Sequence, residues 1–148
     1  MNALELLKQD HEKVKELFEQ AEGTEDQKER KQLFNEIKKE LDTHARIEEK
    51  VFYPAMKKHD ELKDLVAESL KEHKQVKTML RQMTKMGAGR SKFQEKLTSL
   101  IESVEHHAEE EEEGKMFPKV ERIVDRSTLE ELGAQLESAK QKRKRKAA

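Results

Sequence analysis

The sequence predicts an all-α protein: an antiparallel up-down-up-down four-helix bundle with a short C-terminal helix and a basic tail. Three observations carry that prediction. Apolar residues recur at alternating spacings of three and four along four long stretches, the period of a helix with one buried face. Only 5 Gly and 2 Pro occur in 148 residues, too few for a turn-rich β protein. The chain is rich in Glu, Lys and Leu, as long helices are. The length suits one domain, and short connections between consecutive stretches favour antiparallel neighbours.

The first helix opens at Asn2, with Glu5 three residues on in the spacing of a capping box. Its inward seam is Leu4, Leu7, His11, Val14 and Phe18, and Gly23 closes it. Thr24 and Gln27 repeat the capping signal for the second helix, whose seam is Phe34, Ile37, Leu41, His44, Glu48 and Val51. Pro54 is expected to end that helix or its last turn. Asp60 can cap the third, with a seam of Leu62, Val66, Ser69, His73, Val76, Leu80 and Met83. MGAGRS, residues 86–91, reads as a loop. Ser91 and Gln94 open the fourth helix, with Phe93, Leu97, Leu100, Val104, His107 and Glu111 in line and Gly114 and Pro118 at its end. Ser127 and Glu130 cap a short fifth helix carrying Leu129, Leu132 and Leu136. The tail AKQKRKRKAA has no periodicity and is expected to be disordered. The expected division is therefore a bundle over 1–120, a helical extension over 121–138 and a basic tail over 139–148.

Composition narrows the function. Charged residues make up 43% and apolar residues 33%, and 31 Lys+Arg nearly balance 32 Asp+Glu. The absence of Cys removes disulfides, thiolate metal sites, Fe–S clusters and cysteine nucleophiles. No apolar run approaches the ~20 residues of a membrane span, and MNALELLKQDH has neither a basic n-region nor a signal-like apolar stretch. A cytoplasmic protein with no membrane partner is the expectation.

The chain also repeats itself. His11, then HARIE at 44–48, then Phe52 and Pro54 in the first half answer to His73, then HAEEE at 107–111, then Phe117 and Pro118 in the second. Each half supplies one helix with a single seam His and one with a His-x-x-x-Glu pair. On a helix, positions i and i+4 share a face, so both members of each pair point inward. Four imidazoles and two carboxylates thus converge on one small core. Desolvating an ionised carboxylate costs several kcal/mol, and each unpaired buried polar group costs roughly 1–3 kcal/mol. Six such groups would exceed a typical total stability of ~5–15 kcal/mol. A lone seam His is ordinarily a hydrogen-bonded core residue. Four of them with two i+4 glutamates are the donors of a metal centre. Six N/O ligands are too many for one tetrahedral zinc, and all-oxygen Ca²⁺ or Mg²⁺ sites do not use four His. A pair of irons, each held by His and bridged by the carboxylates, fits best; dinuclear manganese or zinc remains open on residue types alone.

At these residues the sequence resembles the hemerythrin-like (HHE cation-binding) family. The resemblance spans about residues 1–120 and rests on Asp10–His11, LDTHARIEEKVFYPA at 41–55, EHKQV at 72–76 and HHAEEEEEGKMFP at 106–118. It implies an up-down bundle around two non-haem irons (Fe²⁺/Fe³⁺), bridged by oxo or hydroxo and carboxylate groups. The implied ligands are His11, His44, Glu48, His73, His107 and Glu111. It also implies binding of O2, or processing of peroxide by catalase-, peroxidase- or oxidase-like turnover, with nitric oxide as a further small ligand. Iron or oxygen sensing without turnover is the alternative. Oxygen carriers of the family have a second His one turn after the third-helix His, where this chain has Lys77. That departure favours turnover over reversible storage. His106–Glu110 is a rival pair at the same spacing, but Leu100 and Val104 lead to 107, not 106. Tyr53 could reach the cavity but is read as an interfacial tyrosine. Lys140, Lys142, Arg143, Lys144, Arg145 and Lys146 are the only stretch suited to nucleic acid. With no aromatic platform beside them, they are read as a solvated end.

Overall fold

A computed structural model of the chain describes residues 1–87 and 91–147, and residues 88–90 of the predicted loop lie outside it. Helix α1 is Ala3–Gly23, and the capping box forms: the Asn2 side chain accepts from the Glu5 N–H at 3.0 Å while the Glu5 carboxylate accepts from the Asn2 N–H at 3.4 Å. Helix α2 begins with Gln27–Ile47, capped by Asp26 rather than Thr24. It continues through a π-helical segment, Glu48–Phe52, and ends with Tyr53–Lys57. A 3₁₀ turn, Asp60–Leu62, leads into α3, Lys63–Met86. Helix α4 is Ser91–Glu105, then a longer π-helical segment, His106–Met116, then Phe117–Ile123. Helix α5 is Arg126–Ala147, opened not by Ser127 but by the Asp125 carboxylate accepting from the Thr128 N–H at 2.7 Å.

Side-chain pairs fix the directions. Asp10–His44 and Lys13–Glu40 run α1 against α2, and Glu49–His73 and Lys38–Thr84 run α2 against α3. Glu72–His107 and Gln82–Lys96 run α3 against α4, and His11–Glu113 and Lys15–Glu109 run α4 against α1. The four helices are the predicted up-down-up-down bundle. Gly133 lies against Met1–Ala3 and Lys140 against Asp10, so α5 lies parallel to α1.

The apolar seams form two cores, not one. Val14, Phe18, Phe34, Ile37, Leu80, Phe93 and Leu97 fill one end of the bundle. Leu4, Leu7, Phe52, Met56, Val66, Phe117 and Val120 fill the other, together with Leu129, Leu132 and Leu136 of α5. Between them lies the polar layer of seam histidines. The C-terminal helix therefore shares the bundle's core.

Three boundary expectations change. Pro54 and Pro118 do not end their helices, which run on to Lys57 and Ile123. The preceding N–H groups bond five residues back, Tyr53 to the Glu48 carbonyl and Phe117 to the Glu112 carbonyl. This wider π turn absorbs a residue that has no N–H to give. Tail residues up to Ala147 are helical. Lys, Arg, Gln and Ala favour helix, and the segment is tied down by Lys140 to Asp10 and Arg143 to Asp42, contacts that hydrophobic periodicity cannot register.

A Cβ on Gly133 would stand 2.3 Å from the Met1 carbonyl oxygen, a backbone atom that cannot swing aside. Gly133→Ala is therefore expected to push α5 off α1 at a cost of about 1–3 kcal/mol. Thermal unfolding checks this, at ~2–4 °C per kcal/mol for a chain of this size.

Candidate metal centre

The π segments decide which carboxylates face inward. His44 and Glu48 are one α-turn apart, before the first π segment takes hold, and both are buried. In α4 the π segment begins at His106, so His107 and its inward partner are separated by a wider turn. The carboxylate brought beneath His107 is Glu112, fully buried with Oε2 3.5 Å from His107 Nε2, and not Glu111. Glu111, itself buried, turns away from the centre, to Lys115 Nζ at 3.0 Å. Expecting Glu111 inside follows from an α-helical count; Glu112 corrects it because π geometry advances the facing position from i+4 to i+5. The signal was present in the repeat. Pro54 follows His44 by ten residues, but Pro118 follows His107 by eleven. Counting back six from each proline gives Glu48 and Glu112. The seam slips in α2 as well: Phe52 is fully buried, while Val51 is only half-buried. His106, the rival to His107, pairs with Glu110 at 2.8 Å on the surface.

The structure brings the other five expected residues together. Glu48 Oε1 lies 3.2 Å from His44 Nε2 and 3.1 Å from His73 Nε2. Glu112 spans the opposite side, between α4 and α1, with Oε1 3.1 Å from His11 Nε2 and Oε2 3.5 Å from His107 Nε2. His73 Nε2 and His107 Nε2 face each other at 3.2 Å. Two donor groups result, His11–His44–Glu48–Glu112 and Glu48–His73–His107, each with its donor atoms within 4.8 Å of one another. Glu48 belongs to both.

The outward nitrogens are held just as systematically. Each Nδ1–H donates to a carboxylate: His11 to Glu113 at 2.7 Å, His44 to Asp10 at 3.0 Å, His73 to Glu49 at 2.8 Å and His107 to Glu72 at 2.6 Å. Every one of these carboxylates is the chain neighbour of a donor on a different helix. Asp10 precedes His11, Glu49 follows Glu48, Glu72 precedes His73 and Glu113 follows Glu112. The ring thus closes from α1 to α2, α2 to α3, α3 to α4 and α4 to α1. Holding Nδ1–H outward leaves Nε2 as the inward donor, the arrangement that orients imidazole ligands in metal sites. Lys77, where oxygen carriers have a His, points to Glu49 at 3.2 Å and steadies the acceptor of His73.

Tyr53 is the donor that the sequence pattern undervalued. Its hydroxyl lies 3.2 Å from Glu48 Oε1, 3.3 Å from His73 Nε2 and 3.4 Å from His107 Nε2, and it donates to Glu112. Burial, reinforced by Glu112 and Glu48, pushes its pKa well above the ordinary phenol value.

Without a cation the cluster balances itself with protons. Burial pulls the His107 pKa down, but Glu112, Glu72 and Glu48 outweigh it and raise it to about 10. Burial likewise opposes His44, which Glu48 and Asp10 hold well above the imidazole range. Glu112, opposed by burial but stabilised by His107 and His11, is held well below the carboxylate range. This balance is incomplete, since His44 Nε2 and Glu48 Oε2 are buried without a hydrogen-bond partner. Both atoms belong to the residues of the first donor group, where a cation would satisfy them. The donor set of imidazole nitrogens and carboxylate oxygens suits first-row divalent metals. A cavity of about 700 Å³ reaches His11, His44, His73 and His107 past Val14, Phe18 and Leu80.

An antiparallel bundle whose waist carries histidine and glutamate donors defines a cation-binding helical protein. The family model for the hemerythrin HHE cation-binding domain matches residues 2–120, and the chain belongs to that family. It is similar to the crystal structure of an HHE cation-binding domain protein from Mycobacterium kansasii. The TM-score is 0.87 at 31% identity, covering 99% of this chain and 90% of that one. An uncharacterised hemerythrin-like protein of Schizosaccharomyces pombe is 32% identical over 106 residues, 70% of this chain and 52% of its own. A Nostoc protein named as a DNA nickase is 26% identical over 142 residues, 96% of this chain. The chain spans only 40% of that relative's length. Among the described residues, no helix is long and apolar enough to cross a membrane.

Proposed function

We propose that the chain holds two non-haem irons at its waist and acts on O2 or peroxide there. The observation that carries this is the pair of donor groups sharing Glu48. His11 and His44 would hold one ion, His73 and His107 the other, with Glu48 and Glu112 bridging. Iron so held would supply electrons and a Lewis-acidic open position to O2 or peroxide. The chain supplies the rest. Four carboxylates aim the imidazoles, and the side chains of Val14, Phe18 and Leu80 line an apolar approach suited to a small uncharged ligand. Lys77 adds no donor, which leaves one position fewer filled than in the oxygen carriers and favours turnover over storage.

The test is elemental analysis with an absorption spectrum, taken before and after hydrogen peroxide. Two irons per chain and peroxide consumption are expected; a chain purified and reconstituted without iron uptake would end the proposal. Ferrous protein mixed with O2 is expected to oxidise rather than hold a long-lived oxy spectrum. Sensing is the second reading: a large thermal shift on loading with no O2 or peroxide consumption would support it. When no substrate occupies that open position, the Tyr53 hydroxyl lies close enough to His73 and His107 to serve as an oxygen donor to the second ion. A phenolate on ferric iron absorbs in the visible, so Tyr53→Phe is expected to abolish such a band while both irons stay bound.

A further inference from the structure

We propose a second, outer divalent-cation site formed by Glu72, His106 and Glu111, outside the centre described above. Three donor atoms of these residues lie within 4.8 Å of one another. His106 Nε2 is 3.6 Å from Glu72 Oε2 and 3.6 Å from Glu111 Oε1. These separations are too long for hydrogen bonds. They match the ~3.4 Å edge of a tetrahedron whose corners lie ~2.1 Å from a zinc-like ion.

Burial and charge point the same way. Glu72 and Glu111 are 8% and 9% exposed, so two carboxylates face each other with little water between them. Glu72 is held in place by its other oxygen, which accepts from His107 Nδ1 at 2.6 Å. His106 is half-exposed and gives the ion a route from solvent, while its Nδ1 is held by Glu110 at 2.8 Å. The positive charge now serving this site is the Lys115 ammonium, 3.0 Å from Glu111 Oε1 and 62% exposed. It can swing into water when a dication takes its place. One imidazole and two carboxylates select a borderline cation such as Zn²⁺, Mn²⁺ or Fe²⁺ over Ca²⁺, and leave room for water as a further ligand. The outer site and the centre share Glu72, through which it touches His107.

Zinc titration of the oxidised, iron-loaded protein, with iron checked by elemental analysis throughout, tests the site. The wild type is expected to bind one Zn²⁺ per chain beyond its iron. His106→Ala, at a half-exposed position, and Glu111→Gln, which keeps the side chain's shape, are each expected to weaken that binding tenfold or more. Lys115→Ala, which removes the competing ammonium, is expected to tighten it several-fold. The site is refuted if no zinc binds beyond the iron, if His106→Ala binds it as the wild type does, or if Lys115→Ala weakens it. A chain that takes up no iron would sink the reading of the centre but not this one. Zinc would then fill both places, and His106→Ala would still remove one ion from the count.

Discussion

Glu112→Gln is expected to strip the centre of at least one of the two irons proposed for it, while Glu111→Gln keeps both through a chelator wash that removes loosely held ions. The two residues are adjacent and chemically identical, so only their direction separates them. Glu112 is fully buried and reaches His11 and His107 with its two oxygens. Removing its charge leaves those imidazoles without the carboxylate that would bridge their ions, and loss of one partner in a buried charged pair ordinarily costs ~3–5 kcal/mol. Glu111 turns away from the centre, to Lys115, His106 and Glu72. Iron content and the ferric spectrum decide the matter. Equal retention in the two variants would mean that the π turn of α4 does not set the donor.

Metal removal is expected to have an equally large effect, with a definite dependence on pH. In the metal-free chain His107 titrates near 10 rather than 6.5, and His11, His44 and His73 are shifted upward too. The stability these imidazoles contribute is complete below pH 6.5 and drains away as pH rises through their folded values. Glu112 and Asp10, shifted downward, contribute stability above their ordinary pKa that is lost in acid. The metal-free bundle is therefore most stable between about pH 4.5 and 6.5. A cation bound by these residues must displace the same protons, so it binds more tightly as pH rises. A ligand at a thousand times its Kd stabilises by about 4 kcal/mol, or roughly 10 °C here. The gap in Tm between loaded and metal-free protein is expected to widen from pH 6 to pH 9, and a gap that narrows would mean that these imidazoles do not hold the metal.

The fold was legible because seam spacing and scarce Gly and Pro leave few alternatives. The histidines were legible for the same reason: each interrupts an apolar seam whose phase is set by neighbours such as Leu7 and Val14, or Leu100 and Val104. Glu112 was not, because 3.6-residue periodicity presumes α-helix throughout, and α4 is π-helical over His106–Met116. Only the unequal distance from histidine to proline in the two halves betrays the added residue. Gly114, whose Cβ would stand 3.0 Å from the Glu109 carbonyl oxygen, sits within that widened turn instead of ending the helix. Tyr53 was undervalued because its role depends on where the first π turn swings a side chain beyond the seam. The tail misled for another reason: Lys140 and Arg143 are held by Asp10 and Asp42, partners about a hundred residues away or more that no local pattern reveals.

The closed circuit of carboxylates governs where damage and repair would fall. Because Asp10 on α1 steadies His44 on α2, and each later acceptor likewise serves the next helix round, a lesion in one helix is felt by its neighbour. In a genetic screen, second-site suppressors of a mutation weakening His44 would map to the opening helix, beside His11, and those for His11 to the stretch around Glu113.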